Sequence, residues 1–193
     1  MKKSLLVLTV VSSLLSLATS ALAQTACGGN MVYNKDADNS RRKWHFSCCP
    51  DGTRAQGIAY TDIVKQDHVD AISVVCRSKS RGNDVIPADF NRNPKQVVCE
   101  NTEVLAGIYC KDVLTKGGKK MDTMDGCTAI CEMPGSPDLR RIYNQDIQGG
   151  REGNELVARL PKRVVGIAYK ELDDKGGSPG ASDRADAATI VVK

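Results

Sequence analysis

The sequence predicts an all-β domain of about twelve short strands, built as three internal repeats of about four strands each. Three observations carry this. A Gly-Ile block recurs three times, as Gly57-Ile58-Ala59-Tyr60, Gly107-Ile108-Tyr109-Cys110 and Gly166-Ile167-Ala168-Tyr169. Each block is followed by an Asp-x-x-Asp pattern and an apolar closing run: Asp67/Asp70 before Ile72 to Cys76, Asp122/Asp125 before Cys127 to Cys131, and Asp183/Asp186 before Ala188 to Val192. After the first 23 residues, apolar positions at helical spacing never persist over three turns. Repetition on this scale governs how every other feature is read.

Residues 1–23 read as a signal peptide. Lys2 and Lys3 form a basic start, Leu5 to Ala18 is an apolar run, and Ala21-Leu22-Ala23 is a small-x-small cleavage site. The apolar run is short for a spanning helix, and no later stretch approaches the roughly 20 apolar residues that a bilayer requires. A secreted or periplasmic protein is therefore expected, with a single mature domain over 24–193 and repeats at 27–77, 78–133 and 134–193. A chain of that length can bury its own core.

Each repeat supplies its strands in the same order. A short strand opens it, at Met31-Val32-Tyr33, Asp84-Val85-Ile86 and Arg141-Ile142-Tyr143. A second strand ends eight residues before the glycine, at Lys43 to Cys49, Gln96 to Cys99 and Glu155 to Ala158. A polar turn, Pro50-Asp51-Gly52-Thr53 in the first repeat, leads into the Gly-Ile strand. A loop of variable length then precedes the closing strand. Short β-branched runs between turn residues are strand signals. Glycine inside such a run points to a bulge or a close backbone approach.

Composition narrows the function. The formal net charge of +4 falls to +2 once Lys2 and Lys3 are removed, with no concentrated basic patch. That argues against nucleic acid and against a membrane surface as partners. One Trp, two Phe and five Tyr offer no evident aromatic platform for bases or sugar rings. The basic turn Lys116-Gly117-Gly118-Lys119-Lys120 reads as a solvated loop.

Eight cysteines in an exported chain read as four disulfides. The repeat pairs them. Cys49 and Cys99 share one repeat position, which is Ala158 in the third unit; Cys76 and Cys131 share another, which is Val192 there. Half-cystines that appear and vanish together are partners, giving Cys49–Cys76 and Cys99–Cys131. Cys110 and Cys127 are paired substitutions of the second unit alone, and Cys27–Cys48 completes the set. All four bonds lie within a repeat. Cys127-x-x-x-Cys131 is not read as a metal site, because no nearby His completes a tetrahedral set.

The run Lys43-Trp44-x-Phe46-x-x-Cys49-Pro50-x-Gly52, with Gly57-Ile58 and then Asp70-Ala71-Ile72-x-x-x-Cys76, resembles the repeat of the vitelline membrane outer layer protein family. The resemblance covers the whole mature chain. It implies a β-prism, three four-stranded Greek-key sheets about a pseudo-threefold axis; a rival twelve-strand architecture, the β-trefoil, also has three four-stranded units and is the second choice. The resemblance also implies secreted structural or carbohydrate-associated roles. Trp44 lacks counterparts in the other two repeats, and the family's adjacent Asp-Asp is here spaced.

The six aspartates Asp67, Asp70, Asp122, Asp125, Asp183 and Asp186 are the candidate ligand-binding residues. At loop ends they suit hydrogen bonds to sugar hydroxyls, or Ca²⁺, which takes six to eight oxygens. The competing reading is that they cap turns, which repetition in every unit favours. Only His45 and His68 are available for general base work, and neither is placed beside a nucleophile. The expected function is a non-enzymatic, lectin-like binder of an extracellular or periplasmic glycan, needing no cofactor unless Ca²⁺. The alternative is a structural or inhibitory protein that meets a protein partner through a sheet face.

Overall fold

The computed structural model describes residues 27–32, 44–62, 69–78, 82, 84–87, 90, 93–114, 120–142, 153–158, 161–171 and 185–193. The expected signal peptide lies outside the described residues, as do Asp67, His68 and Asp183. Twelve strands form among those described: β1 (Asn30–Met31), β2 (Trp44–Cys48), β3 (Thr53–Asp62), β4 (Val69–Ser78), β5 (Asp84–Val85), β6 (Lys95–Val98), β7 (Val104–Leu114), β8 (Lys120–Glu132), β9 (Leu139–Arg141), β10 (Asn154–Val157), β11 (Val164–Glu171) and β12 (Ala185–Val192). No described helix is long and apolar enough to cross a membrane.

The strands make three four-stranded antiparallel sheets. The first runs β5-β4-β3-β6, the second β10-β7-β8-β9 and the third β1-β12-β11-β2. Each sheet has one repeat's long hairpin at its centre and the next repeat's two short strands at its edges. The ring closes because β1 and β2 of the first repeat flank the hairpin of the last. Sequence repeats and sheets are thus out of phase, which the strand-by-strand reading did not anticipate. The turn at Pro50–Thr53 (Thr53 N–H to the Pro50 carbonyl, 3.1 Å) carries the chain from the third sheet to the first, not between paired strands. Glu100–Glu103 turns the same corner from the first sheet to the second, with a 2.9 Å bond.

The repeat glycines have a common physical cause. At each, the inner hairpin slips register by one residue: Ala55 to Gly57, Leu105 to Gly107, and Val164 to Gly166. The extra residues are Gln56, Ala106 and Val165. Their carbonyls accept from the N–H groups of Cys99, Ala158 and Cys49 at 2.8, 2.8 and 2.9 Å. Beside each bulge the edge strand presses onto the glycine. A Cβ there would lie 2.3 Å from the Val97 carbonyl oxygen at Gly57, 2.2 Å from that of Leu156 at Gly107, and 2.6 Å from that of Ser47 at Gly166. Only glycine tolerates such an approach.

The core lies between the three sheets. Ile58, Ile108 and Ile167 occupy one repeat position and are fully buried, and each pairs across its hairpin with Val74, Ala129 or Ile190. The four disulfides are Cys27–Cys48, Cys49–Cys76, Cys99–Cys131 and Cys110–Cys127, the pairing expected from the repeat, and all eight cysteines are used. Their placement adds something the sequence did not show. Cys49–Cys76 ties the third sheet to the first, and Cys99–Cys131 ties the first to the second, with Cα separations of 5.5 and 5.7 Å. The corresponding positions between the second and third sheets are the buried Ala158 and Val192. Cys110–Cys127 instead rungs a single hairpin, where the two residues are direct register partners.

Candidate functional site at the loop end

At the far end of each inner hairpin a second register slip recurs. Thr61 pairs with Ala71 but Asp62 with Val69; Lys111 pairs with Gly126 but Asp112 with Met124; Lys170 pairs with Ala187 but Glu171 with Ala185. The residues left over are Asp70, Asp125 and Asp186. The second aspartate of every Asp-x-x-Asp is therefore the extra residue of a β-bulge, a device that bends a strand and re-aims side chains. Asp125 is buried and Asp70 half-buried. Asp122 and Asp186 lie on β8 and β12.

Next to these bulges the sheets assemble a unit that composition concealed. In the third sheet, β2 and β11 pair so that His45 opposes Tyr169. The two rings stack at 4.9 Å between centroids and 19° between planes, and His45 Nε2 lies 3.3 Å from Glu171 Oε1. In the first sheet the equivalent residues repeat the pattern with a lysine. Lys95 opposes Tyr60, its ammonium lies 5.9 Å from the ring centroid, and it pairs with Asp62. A basic side chain from the next repeat's edge strand thus covers a tyrosine and meets a carboxylate two residues beyond it. In the second sheet Asn154 and Cys110 hold the corresponding positions, and Cys110 is consumed by its disulfide.

The two copies differ in access. Tyr60 is fully buried, whereas Tyr169 is half-buried and His45 is exposed. The Tyr169 hydroxyl is pushed up to about 12, first by burial and then by the negative charges of Glu171 and Asp70. It is therefore a neutral O–H donor flanked by carboxylate acceptors. On the opposite face of the same strand pair, Lys170 stands 5.1 Å over the Trp44 ring, and Phe46 is 37% exposed. Trp44, Phe46 and Tyr169 thus share one strand pair, Tyr169 on one face and Trp44 and Phe46 on the other. Sequence reasoning missed the cluster because His45 and Tyr169 belong to different repeats. The one available signal was His45 and Lys95 at the same repeat position.

The tyrosine shift has a measurable sign. A phenol whose pKa rises from an ordinary value near 10 to about 12 on folding gives stability that is whole below pH 10. That stability is lost as pH climbs through the folded value. Spectrophotometric titration of the folded protein should therefore show one phenolate forming near 12, absent from Tyr169→Phe. Ionisation of every accessible tyrosine near 10 would contradict the placement.

Among the described residues, the one close group of potential metal donors is Cys99, Glu103 and Cys131. Both thiols are locked in their disulfide, and Glu103 is held by Arg140 at 2.5 and 2.8 Å. That arrangement is structural.

The architecture is a β-prism of the type found in lectins. Among solved structures the chain is similar to Calystegia sepium agglutinin (TM-score 0.51, 11% identity, covering 86% of this chain and 96% of that one). It is similar to the same extent to Calsepa lectin, solved in complex with a biantennary N-glycan. No protein-family model matches the chain, and no curated protein matches it in sequence. Identity at this level establishes the fold alone.

Proposed function

We propose that the protein is an exported carbohydrate-binding protein that holds its ligand at the loop end of the prism, around Tyr169. The supporting observation is the cluster of His45, Tyr169 and Glu171 with Asp70 beside it: a stacked aromatic surface, one neutral hydroxyl donor and two carboxylate acceptors. Sugars present alternating apolar ring faces and hydroxyl groups, and such a mixture meets both. In this reading Asp70 borders the site; Asp67 and Asp183 lie outside the described residues, and Asp125 and Asp186 are the repeat counterparts of Asp70, as Asp122 is of Asp67. The chemistry is binding, not turnover. Four disulfides without a free thiol suit export, to the cell exterior or periplasm. The repeat pattern and the prism together favour kinship with the vitelline membrane outer layer proteins.

A glycan array tests the proposal, run with and without Ca²⁺. Retained binding of some glycan is expected, and Tyr169→Phe and Glu171→Gln should each weaken it about tenfold or more, the scale of a lost charged hydrogen bond. Glu171 faces His45 at 3.3 Å, which leaves it a poor Ca²⁺ ligand, so chelation should leave binding intact. An array without any signal, in either condition, overturns the reading. A second reading, docking of a protein partner on a sheet face, draws on Phe46, exposed on the outer face of the third sheet. It predicts that Phe46→Ala, and not Glu171→Gln, abolishes the interaction.

A further inference from the structure

The opposite end of the prism, roughly 20 Å away along strands that rise about 3.3 Å per residue, carries a cavity of about 420 Å³. Its walls include Ala55, Leu105 and Val164, which are the same repeat position contributed by each of the three inner hairpins. The cavity therefore opens on the pseudo-threefold axis. Val104, Ala106, Pro134 and Ala158 add to its apolar lining. Ala158 marks the seam where the disulfide that closes the other two seams is absent.

The mouth is charged. Arg54, Lys162 and Arg163 stand at the rim with Glu132, an excess of two positive charges. Arg54 is fixed there by a 2.6 Å bond to the Asn101 carbonyl, and Lys162 and Arg163 are exposed. Arg54 and Arg163 are equivalent by repeat, so two of the three hairpins contribute an arginine to the lining. Walls of this kind would leave buried sugar hydroxyls without partners, which disfavours a sugar as the occupant. A volume above about 300 Å³ is in the range of small-ligand sites.

We infer that this cavity binds a free fatty acid, its alkyl chain among Ala55, Leu105, Ala158 and Val164 and its carboxylate at Arg54, Lys162 and Arg163. The site is separate from the glycan site and does not depend on it. Alkyl burial drives binding, and the rim selects the headgroup.

Isothermal titration calorimetry of the full mature chain with dodecanoate, held below its micelle-forming concentration, tests this. Saturable binding at one ligand per chain is expected, with dodecyltrimethylammonium at least tenfold weaker. The surface double variant Lys162→Glu/Arg163→Glu should melt near the parent temperature and lose at least tenfold in dodecanoate affinity. Ala158→Phe, which fills the cavity, should abolish binding. Should Ala158→Phe fail to fold, the rim variant and the cationic analogue still decide. The inference is overturned if dodecanoate gives no saturable heat, if the cationic analogue binds as well, or if the rim variant binds unchanged. It is equally overturned if the protein sediments with phosphatidylglycerol vesicles while ignoring monomeric dodecanoate.

Discussion

Replacing Gly107 by alanine is expected to destabilise the protein by about 3 kcal/mol, an unusually large loss for one added methyl group. The new Cβ would sit 2.2 Å from the Leu156 carbonyl oxygen and 3.0 Å from the Val157 Cα, both backbone atoms of β10. No rotamer relieves a backbone clash. The strand must separate from β7, and the four residue pairs between Asn154 and Val157 and their partners loosen with it. The control is Gly52→Ala, at a turn with φ of 79° and nothing within 4 Å of the added atom. There only the left-handed backbone is penalised, at about 1 kcal/mol. Urea unfolding separates the two. A Gly107→Ala cost no larger than that of Gly52→Ala would mean that β10 does not press on β7 as described.

Removing the disulfide between the first and second sheets, as Cys99→Ala/Cys131→Ala, should cost about 3–4 kcal/mol by the chain-entropy estimate for its 32-residue separation. Loss of Cys110–Cys127, with a separation of 17, should cost about 3 kcal/mol on the same scale. The magnitudes are close, so location is the sharper test. Without Cys99–Cys131 the seam opens, and hydrogen exchange should quicken in both β6 and β8, on two sheets. Without Cys110–Cys127 the change should stay within the β7–β8 hairpin. A purely local response to both deletions would contradict the role of Cys99–Cys131 as an inter-sheet tie.

Several levels of this structure were legible in the residues. Strand positions followed from β-branched runs and turn residues. The disulfide pairing followed from co-occurrence, because two repeat positions are both cysteine in the first two units (Cys49/Cys76, Cys99/Cys131) and both apolar in the third (Ala158/Val192). The bulges followed from glycine set inside apolar strands. What stayed hidden was the partner of each edge strand. Gly57 records that a backbone comes close, and nothing in its neighbourhood says that the visitor is Val97 of the next repeat. A β-turn such as Pro50–Thr53 fixes a local reversal and leaves open whether the strands it joins pair with each other. That same ambiguity hid the candidate site, since His45 reaches Tyr169 only when the first repeat closes the last repeat's sheet. The aspartates were half legible. Their repetition signalled a requirement of the fold, and three of them turn out to be bulge residues. Asp70 takes on its second interest only from lying near Tyr169 of another sheet.

The central claim is that the loop end around Tyr169 is where the glycan binds. The chain has a single tryptophan, Trp44, on the strand that carries His45. Its fluorescence therefore reports on the strand pair that carries the site, from the opposite face. Titrating the best array glycan into the protein should change Trp44 emission saturably, and Glu171→Gln should shift the midpoint about tenfold or more upward. Glycan binding whose midpoint neither Glu171→Gln nor Tyr169→Phe shifts would place the ligand elsewhere and contradict the account.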